Sequence, residues 1–234
     1  MTSSISRSSK LAGSLTVLAA ASLTGAFNTI KSQLQTSNPG LSIANSFAGS
    51  QQLVAQIQQG APADVVATAD TDTMNTLVKG SLVATPTVFA RNLLEIAVAP
   101  GNPKGVQALS DLGNPNLKVV LADPSVPAGK FARRALAKAR VTVNPVSNEL
   151  DVKAVLQKVA LGEADAGIVY VTDVKAAGST VAGVAIAPAD NVIATYPIAM
   201  VKATKNAGAA QASIKDVVSG PGQQILRSQG FLSP

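Results

Sequence analysis

Residues 15–27, Leu-Thr-Val-Leu-Ala-Ala-Ala-Ser-Leu-Thr-Gly-Ala-Phe, join a strand-like run to a helix-like run through a turn of small residues. After the turn, apolar side chains recur on one helical face at Leu23, Phe27, Ile30 and Leu34. Ser22 stands just before the first of these, where an N-cap residue is expected. A helix that begins there directs free N–H groups and the positive end of its dipole at one point, which favours an anion.

A second join of the same design occupies residues 41–59. Residues 41–47 alternate like a strand, Ala48 and Gly49 form a turn, and Ser50 is expected to cap a helix over 51–59 that ends at Gly60. One capping serine is usually only structural. Two joins of this kind predict a shared anion site.

Strand-like and helix-like segments alternate along the rest of the chain. Strands are predicted at 64–70, 93–99, 117–122, 166–170, 184–187 and 195–201, and helices at 72–79, 127–139, 150–161, 208–218 and 221–228. This alternation predicts an α/β fold, with mostly parallel sheets and helices on both faces. Ligands bind outside the carboxyl ends of such strands, where Ser22, Ser50, Ala128 and Tyr170 all fall.

The composition excludes several classes of site. The 234 residues include neither Cys nor His, so disulfides, thiolate or imidazole metal ligands and His-based triads are ruled out. No G-x-S-x-G, S-x-x-K, G-x-G-x-x-G or Walker A motif is present. Asp70, Asp123 and Asp173 fit turn or capping positions better than catalytic ones. We therefore expect neither an enzyme nor a bound cofactor.

The net charge of +6 comes from scattered basic residues, apart from one group on the predicted helix 127–139 and just beyond it: Lys130, Arg133, Arg134, Lys138 and Arg140. Only 3% of the chain is aromatic, so few side chains could stack on bases, and we interpret the group as a solvated helix face with no nucleic-acid partner. Mild positive charge would help to attract a small anion.

The N-terminus superficially resembles a signal peptide, because Arg7 and Lys10 precede an apolar run that ends in small residues. We interpret that run as the first strand and turn, since cleavage would remove a strand that the sheet needs. Residues 1–12 are expected to be a disordered leader without an export signal. No 18-residue apolar run predicts a transmembrane span.

Six short motifs occur in order from about residue 14 to the C-terminus. They are VLAAASLT at 17–24, FAGS at 47–50, GAPADV at 60–65, DPSVPAG at 123–129, GIVYVTD at 167–173, and GPGQQIL at 220–226 with Gly230-Phe231. Together they resemble the ModA family, the molybdate-binding proteins that serve ATP-binding-cassette (ABC) importers.

The resemblance implies a two-lobed type II periplasmic-binding fold. Its hinge crossings would fall near residues 91–94 and 194–197, with lobe one at 13–92 plus 195–234 and lobe two at 93–194. It also implies a monomeric receptor in the periplasm or cell envelope, which closes on molybdate or tungstate and docks on a membrane permease.

The family's oxyanion contacts fall on five positions of this chain. Ser22 and Ser50 would each supply a hydroxyl and a backbone N–H, Ala128 and Val152 a backbone N–H, and Tyr170 its phenolic O–H. All of these groups donate and none is charged, which suits a proton-free tetrahedral dianion. Molybdenum or tungsten would thus be held as the oxyanion, without direct metal coordination.

Two alternatives stay open. One is a binder of sulfate or another tetrahedral oxyanion on the same fold, separated from molybdate only by cavity size. The other is the effector-sensing domain of a transcription regulator, which would carry an N-terminal helix-turn-helix.

Overall fold

The computed structural model describes residues 11–234. The predicted leader, residues 1–12, lies outside the described residues except for its last two positions, of which Ala12 already begins the first strand.

The strands and helices of the described part alternate along the chain. The strands are β1 (Ala12–Ala20), β2 (Gly40–Ala48), β3 (Val65–Ala67), β4 (Thr87–Asn92), β5 (Leu94–Val98), β6 (Val119–Ala122), β7 (Ser147–Glu149), β8 (Ala166–Tyr170), β9 (Ala182–Ala185) and β10 (Ala194–Met200). The α-helices are α1 (Thr24–Ser37), α2 (Ser50–Gln58), α3 (Thr71–Lys79), α4 (Pro127–Lys138), α5 (Val152–Ala160), α6 (Val171–Ala177), α7 (Ala207–Ser219) and α8 (Gly222–Ser228).

The strands form two five-stranded sheets, in the orders β2-β1-β3-β10-β4 and β7-β6-β8-β5-β9. The predicted α/β class is confirmed, but both sheets are mixed rather than mostly parallel. In the first sheet β10 runs against β3 and β4, and in the second β5 runs against β8 and β9. Strands β5 and β10 are the first strands formed after the chain crosses from one sheet to the other. Each of them therefore enters its sheet from the end opposite to that used by the remaining strands.

We call the first sheet with α1, α2, α3, α7 and α8 the first lobe, and the second sheet with α4, α5 and α6 the second lobe. The chain passes between them at residues 92–94 and again at 191–194. Asn191 ties the two passages together, since its side chain accepts from Leu94 N at 3.0 Å and donates to Leu94 O at 2.9 Å. The predicted lobe boundaries, and movement of the lobes as separate bodies, stay predictions.

Strand β1 lies inside the first sheet and is buried on both faces. Val17 and Ala19 belong to the main core with the buried side of α1, namely Ala26, Phe27, Ile30 and Leu34. Leu18 points the other way, into a smaller core with Leu53 of α2 and Leu77 of α3. This burial explains why the run over 15–18 is almost continuously apolar. In residues 11–234, no helix has both the length and the apolar character needed to cross a membrane.

The predicted capping roles of Ser22 and Ser50 are wrong. Ser22 lies within a 3-10 turn over Ala21–Leu23, and α1 begins only at Thr24. Ser50 is the first residue of α2, while Gly49 is its N-cap. Both hydroxyls bond to groups distant in sequence instead, as described below, so tertiary partners displaced the local caps.

Candidate functional site

The five residues predicted to bind an oxyanion line one cavity between the two lobes. Ser22 and Ser50 come from the first lobe, and Ala128, Val152 and Tyr170 from the second. All five are buried. The remaining lining residues are Ala20, Ala21, Ala48, Gly49, Ala69, Val126, Pro127 and Asp151. The cavity has room for roughly one water-sized sphere, about 10 Å³, so the space between the walls is small.

Three helices begin at the cavity. Ser50 is the first residue of α2, Ala128 the second of α4, and Val152 the first of α5. First-turn N–H groups have no partner within their own helix and carry the positive end of its dipole. Pro127, at the first position of α4, has no N–H to leave unpaired. The arrangement therefore offers N–H donors from both lobes to one small anion.

Two glycines permit the close approaches that form these walls. A Cβ at Gly129, in the first turn of α4, would lie 2.1 Å from Asp123 O. A Cβ at Gly49 would lie 2.5 Å from Leu150 O, which belongs to the other lobe. Any side chain at Gly49 would thus hold the lobes apart beside the cavity.

Both serine hydroxyls are held by groups from another part of the first lobe. The Ser22 Oγ lies 3.0 Å from the Tyr196 Oη of β10. The Ser50 Oγ accepts a hydrogen bond from Ala69 N at 3.0 Å, just after β3. These bonds fix each oxygen at the wall of the cavity and explain why neither hydroxyl serves as a cap.

Tyr170 ends β8, and its hydroxyl is fully buried without a hydrogen-bond partner among the described residues. Burial raises the pKa of Tyr170 well above the usual value, and the nearby Tyr196 and the carboxylates of Asp173 and Asp70 raise it further. The phenol therefore keeps its proton at neutral pH. A buried hydroxyl without a partner is costly, which favours a ligand as its acceptor.

Among residues 11–234, no Lys or Arg lines the cavity, and Asp151 is the one charged residue in its wall. Its carboxylate caps α5 by accepting from Ala154 N at 2.9 Å. Two further carboxylates near the site form ion pairs. Asp70 pairs with Lys130 at 2.7 Å, and Asp173 pairs with Lys153 at 3.3 Å. The roles expected for Asp70 and Asp173 hold, since Asp70 accepts from Thr73 N at the start of α3 and Asp173 from Tyr170 N at the start of α6.

The lobes are in direct contact around the cavity. Gln51 Nε2 of the first lobe donates to Leu150 O of the second at 3.0 Å. Lys130 of α4 reaches Asp70 and, at 3.2 Å, Asp72 of the first lobe. Across residues 11–234, no group of three or more Asp or Glu side chains is arranged to hold a metal ion.

Sequence reasoning missed several residues at or behind the cavity wall. Asp151 could have been found, because an Asp directly before a helical pattern is a typical N-cap. Tyr196 and Asn92, which lie behind Ser22, and Ala69, behind Ser50, carry no local pattern that reveals their roles. They reach the site only because β3, β4 and β10 are neighbours in the first sheet.

The sequence model for bacterial extracellular solute-binding proteins matches residues 15–232. The molybdate-binding protein ModA of Mycobacterium tuberculosis (strain ATCC 25618 / H37Rv) is 43% identical over 224 residues, which cover 95% of this chain and 86% of that protein. The chain is a member of the ModA family of bacterial extracellular solute-binding proteins.

Two solved structures show that the ModA-family chain has the predicted type II periplasmic-binding fold. The periplasmic molybdate-binding protein of Azotobacter vinelandii superposes with a TM-score of 0.81 at 17% identity, over 94% of this chain and 99% of that one. The sulfate-binding protein SubI of M. tuberculosis superposes with a TM-score of 0.83 at 21% identity, over 93% and 86% of the two chains. The fold alone is therefore compatible with more than one tetrahedral oxyanion.

Proposed function

We propose that this ModA-family protein captures molybdate between its two lobes and delivers it to the permease of an ABC importer. One observation carries the proposal: five residues from both lobes, each able to donate a hydrogen bond, line one small cavity. In the described part of the chain, no cationic side chain joins them there. The 43% identity to a molybdate-binding protein supports molybdate as the oxyanion.

In the proposed complex, Ser22 and Ser50 donate through their hydroxyls and backbone N–H groups. Ala128 and Val152 donate through backbone N–H groups, and Tyr170 through its phenol. A hydrogen bond to a charged partner contributes about 1.5–3 kcal/mol, so several of them can hold a dianion without a buried cation. The metal is bound only as its oxyanion, and the same donors would accept tungstate.

Ligand binding would stabilise the closed arrangement, because the donors come from both lobes and act together only when the lobes meet. The closed, loaded monomer would then be the form that docks on the permease, outside the cytoplasmic membrane. No catalytic step, bound cofactor or nucleic-acid partner is part of this proposal.

Sulfate is the second candidate, because a sulfate-binding protein has the same fold. Sulfate is also a proton-free tetrahedral dianion, so uncharged donors do not reject it by charge. Molybdate and tungstate are larger, and cavity size would decide between the candidates.

Thermal unfolding of ligand-stripped protein tests the proposal directly, with molybdate, tungstate, sulfate and phosphate added in turn. A ligand at 100 times its dissociation constant adds about 2.7 kcal/mol to the free energy of unfolding, enough to raise the midpoint visibly. We expect molybdate and tungstate to raise it. A rise with sulfate alone would replace the substrate, and no rise with any of the four would refute the oxyanion site.

A further inference from the structure

We propose that Tyr196 is a positioning residue, which keeps the proton of Ser22 available as a hydrogen-bond donor toward the ligand. This inference rests on the proposed function, because it concerns the same oxyanion site. Tyr196 does not line the cavity. Its hydroxyl lies behind Ser22, in a buried chain of polar groups that begins at Asn92 at the end of β4.

Asn92 sets the direction of the hydrogen bonds in this buried series of polar groups. Leu93 N lies 3.0 Å from the Asn92 Oδ1, and a backbone N–H can only donate, so the side-chain atom that faces it must be the carbonyl oxygen. The Asn92 Nδ2 therefore points the other way. One of its protons goes to Thr172 Oγ1 at 2.8 Å, and the other is directed at Tyr196 Oη at 3.5 Å.

The hydrogen bond between Tyr196 and Ser22 continues this series. The Tyr196 oxygen accepts the long 3.5 Å contact from Asn92, which leaves its single proton available, and we assign that proton to the 3.0 Å bond with the Ser22 Oγ. The ring is fully buried and fixed by edge contacts with Phe89, Tyr170 and Phe231, at centroid distances of 6.3, 5.9 and 5.5 Å. Burial also raises the pKa of Tyr196, so the hydroxyl stays a neutral donor.

Ser22 then has one incoming hydrogen bond and one proton left to give. Because it accepts from Tyr196 rather than donating to it, its own proton is available to a ligand in the cavity. Ser50 has the same arrangement, because Ala69 N donates to its oxygen. Both serines of the first lobe are thus held as donors, one by a backbone N–H and the other by the Tyr196 hydroxyl.

The direction in which Ser22 donates affects how the site discriminates between proton-free and protonated oxyanions. A ligand without protons accepts from every wall group, whereas hydrogen phosphate carries a proton that must find an acceptor. Ser22 could accept it only with its second lone pair, which would turn its own proton away from the ligand and lose that donor. Tyr196 therefore contributes to the rejection of protonated oxyanions without touching the ligand.

A double-mutant cycle of Tyr196→Phe and Ser22→Ala tests this role, with molybdate affinity measured by titration calorimetry. We expect Ser22→Ala to weaken binding about 10- to 100-fold and Tyr196→Phe about 3- to 10-fold. Because Tyr196 acts through Ser22, the double variant should bind no more weakly than Ser22→Ala alone. If the two effects multiply, Tyr196 does not act through Ser22 and the inference is wrong.

A second readout separates proton direction from packing. Tyr196→Phe keeps the ring but loses the hydroxyl, and we expect its binding ratio of sulfate to hydrogen phosphate at pH 8 to fall about 3-fold or more. Phe231→Leu is the matched control, because it disturbs the contacts of the same ring and leaves the hydroxyl in place. Its ratio should equal that of the unmodified protein.

The outcomes also distinguish the two proposals. If the unmodified protein binds none of the oxyanions, the proposed function fails and the role of Tyr196 fails with it. If the protein binds molybdate but Tyr196→Phe leaves both affinity and selectivity unchanged, only the role of Tyr196 is refuted. An equal change of the ratio in Phe231→Leu would likewise refute it, since packing alone would then explain the effect.

Discussion

The Ser50 hydroxyl makes one hydrogen bond within the protein and would make a second to the proposed ligand. Its oxygen accepts from Ala69 N at 3.0 Å, and the residue is 1% exposed. The proposed ligand bond would use the proton. The same side chain thus stabilises the fold without ligand and the complex with it, so one substitution should affect two separate measurements.

We expect Ser50→Ala to lower molybdate affinity about 10- to 100-fold, because a hydrogen bond to a charged ligand is lost. It should also lower the free energy of unfolding of the ligand-free protein by about 1–2 kcal/mol, since Ala69 N–H loses its partner. Titration calorimetry and urea unfolding measure the two effects. Ser46→Ala, at an exposed position of β2, is the control and should change neither.

Asp173 makes stability depend on pH. Burial raises its pKa, and this effect exceeds the lowering by Lys153 and by the backbone N–H of Tyr170. The folded protein therefore holds the proton to higher pH than the unfolded chain does. The free energy of unfolding should fall as pH rises above about 4, where the unfolded carboxyl ionises.

Asp173→Asn removes this titration but can still accept from Tyr170 N. We expect the variant to gain stability relative to the unmodified protein as pH rises from about 4 toward 7. Lys153, whose side chain is 34% exposed, can stay hydrated when its partner is lost. Urea unfolding across this range is the measurement, with the exposed Glu163→Gln as control. A stability difference independent of pH would contradict the expected titration.

Helix α5 begins at Val152, which lines the cavity and is proposed to donate its N–H group there. Asp151 before it is extended, with φ −157° and ψ 169°. An extended residue suits a following proline, and proline is well tolerated as the first residue of a helix. The backbone donor can therefore be removed while the helix keeps its start.

We expect Val152→Pro to lower molybdate affinity about 10-fold or more, because one N–H bond to the dianion is lost. Val152→Ala is the matched control: it removes buried side-chain atoms but keeps the N–H. It should lower the unfolding midpoint and leave affinity nearly unchanged. Equal affinities of the two variants would show that Val152 N–H does not contact the ligand.

The pattern of apolar residues predicted most of the helices and strands. Those that it did not predict were missed for physical reasons. The apolar period of α1 is correct because its buried face packs on β1 and β2. Strand β4 was not predicted, since its burial depends on β10, which joins the sheet more than 100 residues later. The short elements β7 (Ser147–Glu149) and α6 (Val171–Ala177) were missed as well, because so few residues establish no period.

Lys130 links the two lobes of the whole molecule. Its ammonium reaches the buried Asp70 at 2.7 Å and the exposed Asp72 at 3.2 Å, and its own side chain is 31% exposed. These bonds can form only when the lobes are together. The ion pair should therefore favour the closed arrangement without touching the ligand.

We expect Lys130→Met to weaken molybdate binding about 5-fold, corresponding to about 1 kcal/mol for a partly solvated ion pair. The change should appear mainly as faster release, measured by stopped-flow dissociation. Binding should also lose part of its salt dependence. Lys79→Met, at an exposed position of α3 with no ion-pair partner within residues 11–234, is the control. An unchanged release rate would show that the pair does not favour closure.

The sequence by itself determined the α/β class and the five candidate donors. Apolar periods, turns and strand ends depend on local residues, and the motifs that carry the donors lie within short segments. Only the tertiary structure decided which groups hold those donors. Tyr196 and Asn92 lie at least 70 residues from Ser22 along the chain, and they reach it because β10 returns to the first sheet and pairs between β3 and β4. Hydrogen-bond direction across such distances depends on neighbouring strands, which no local pattern encodes.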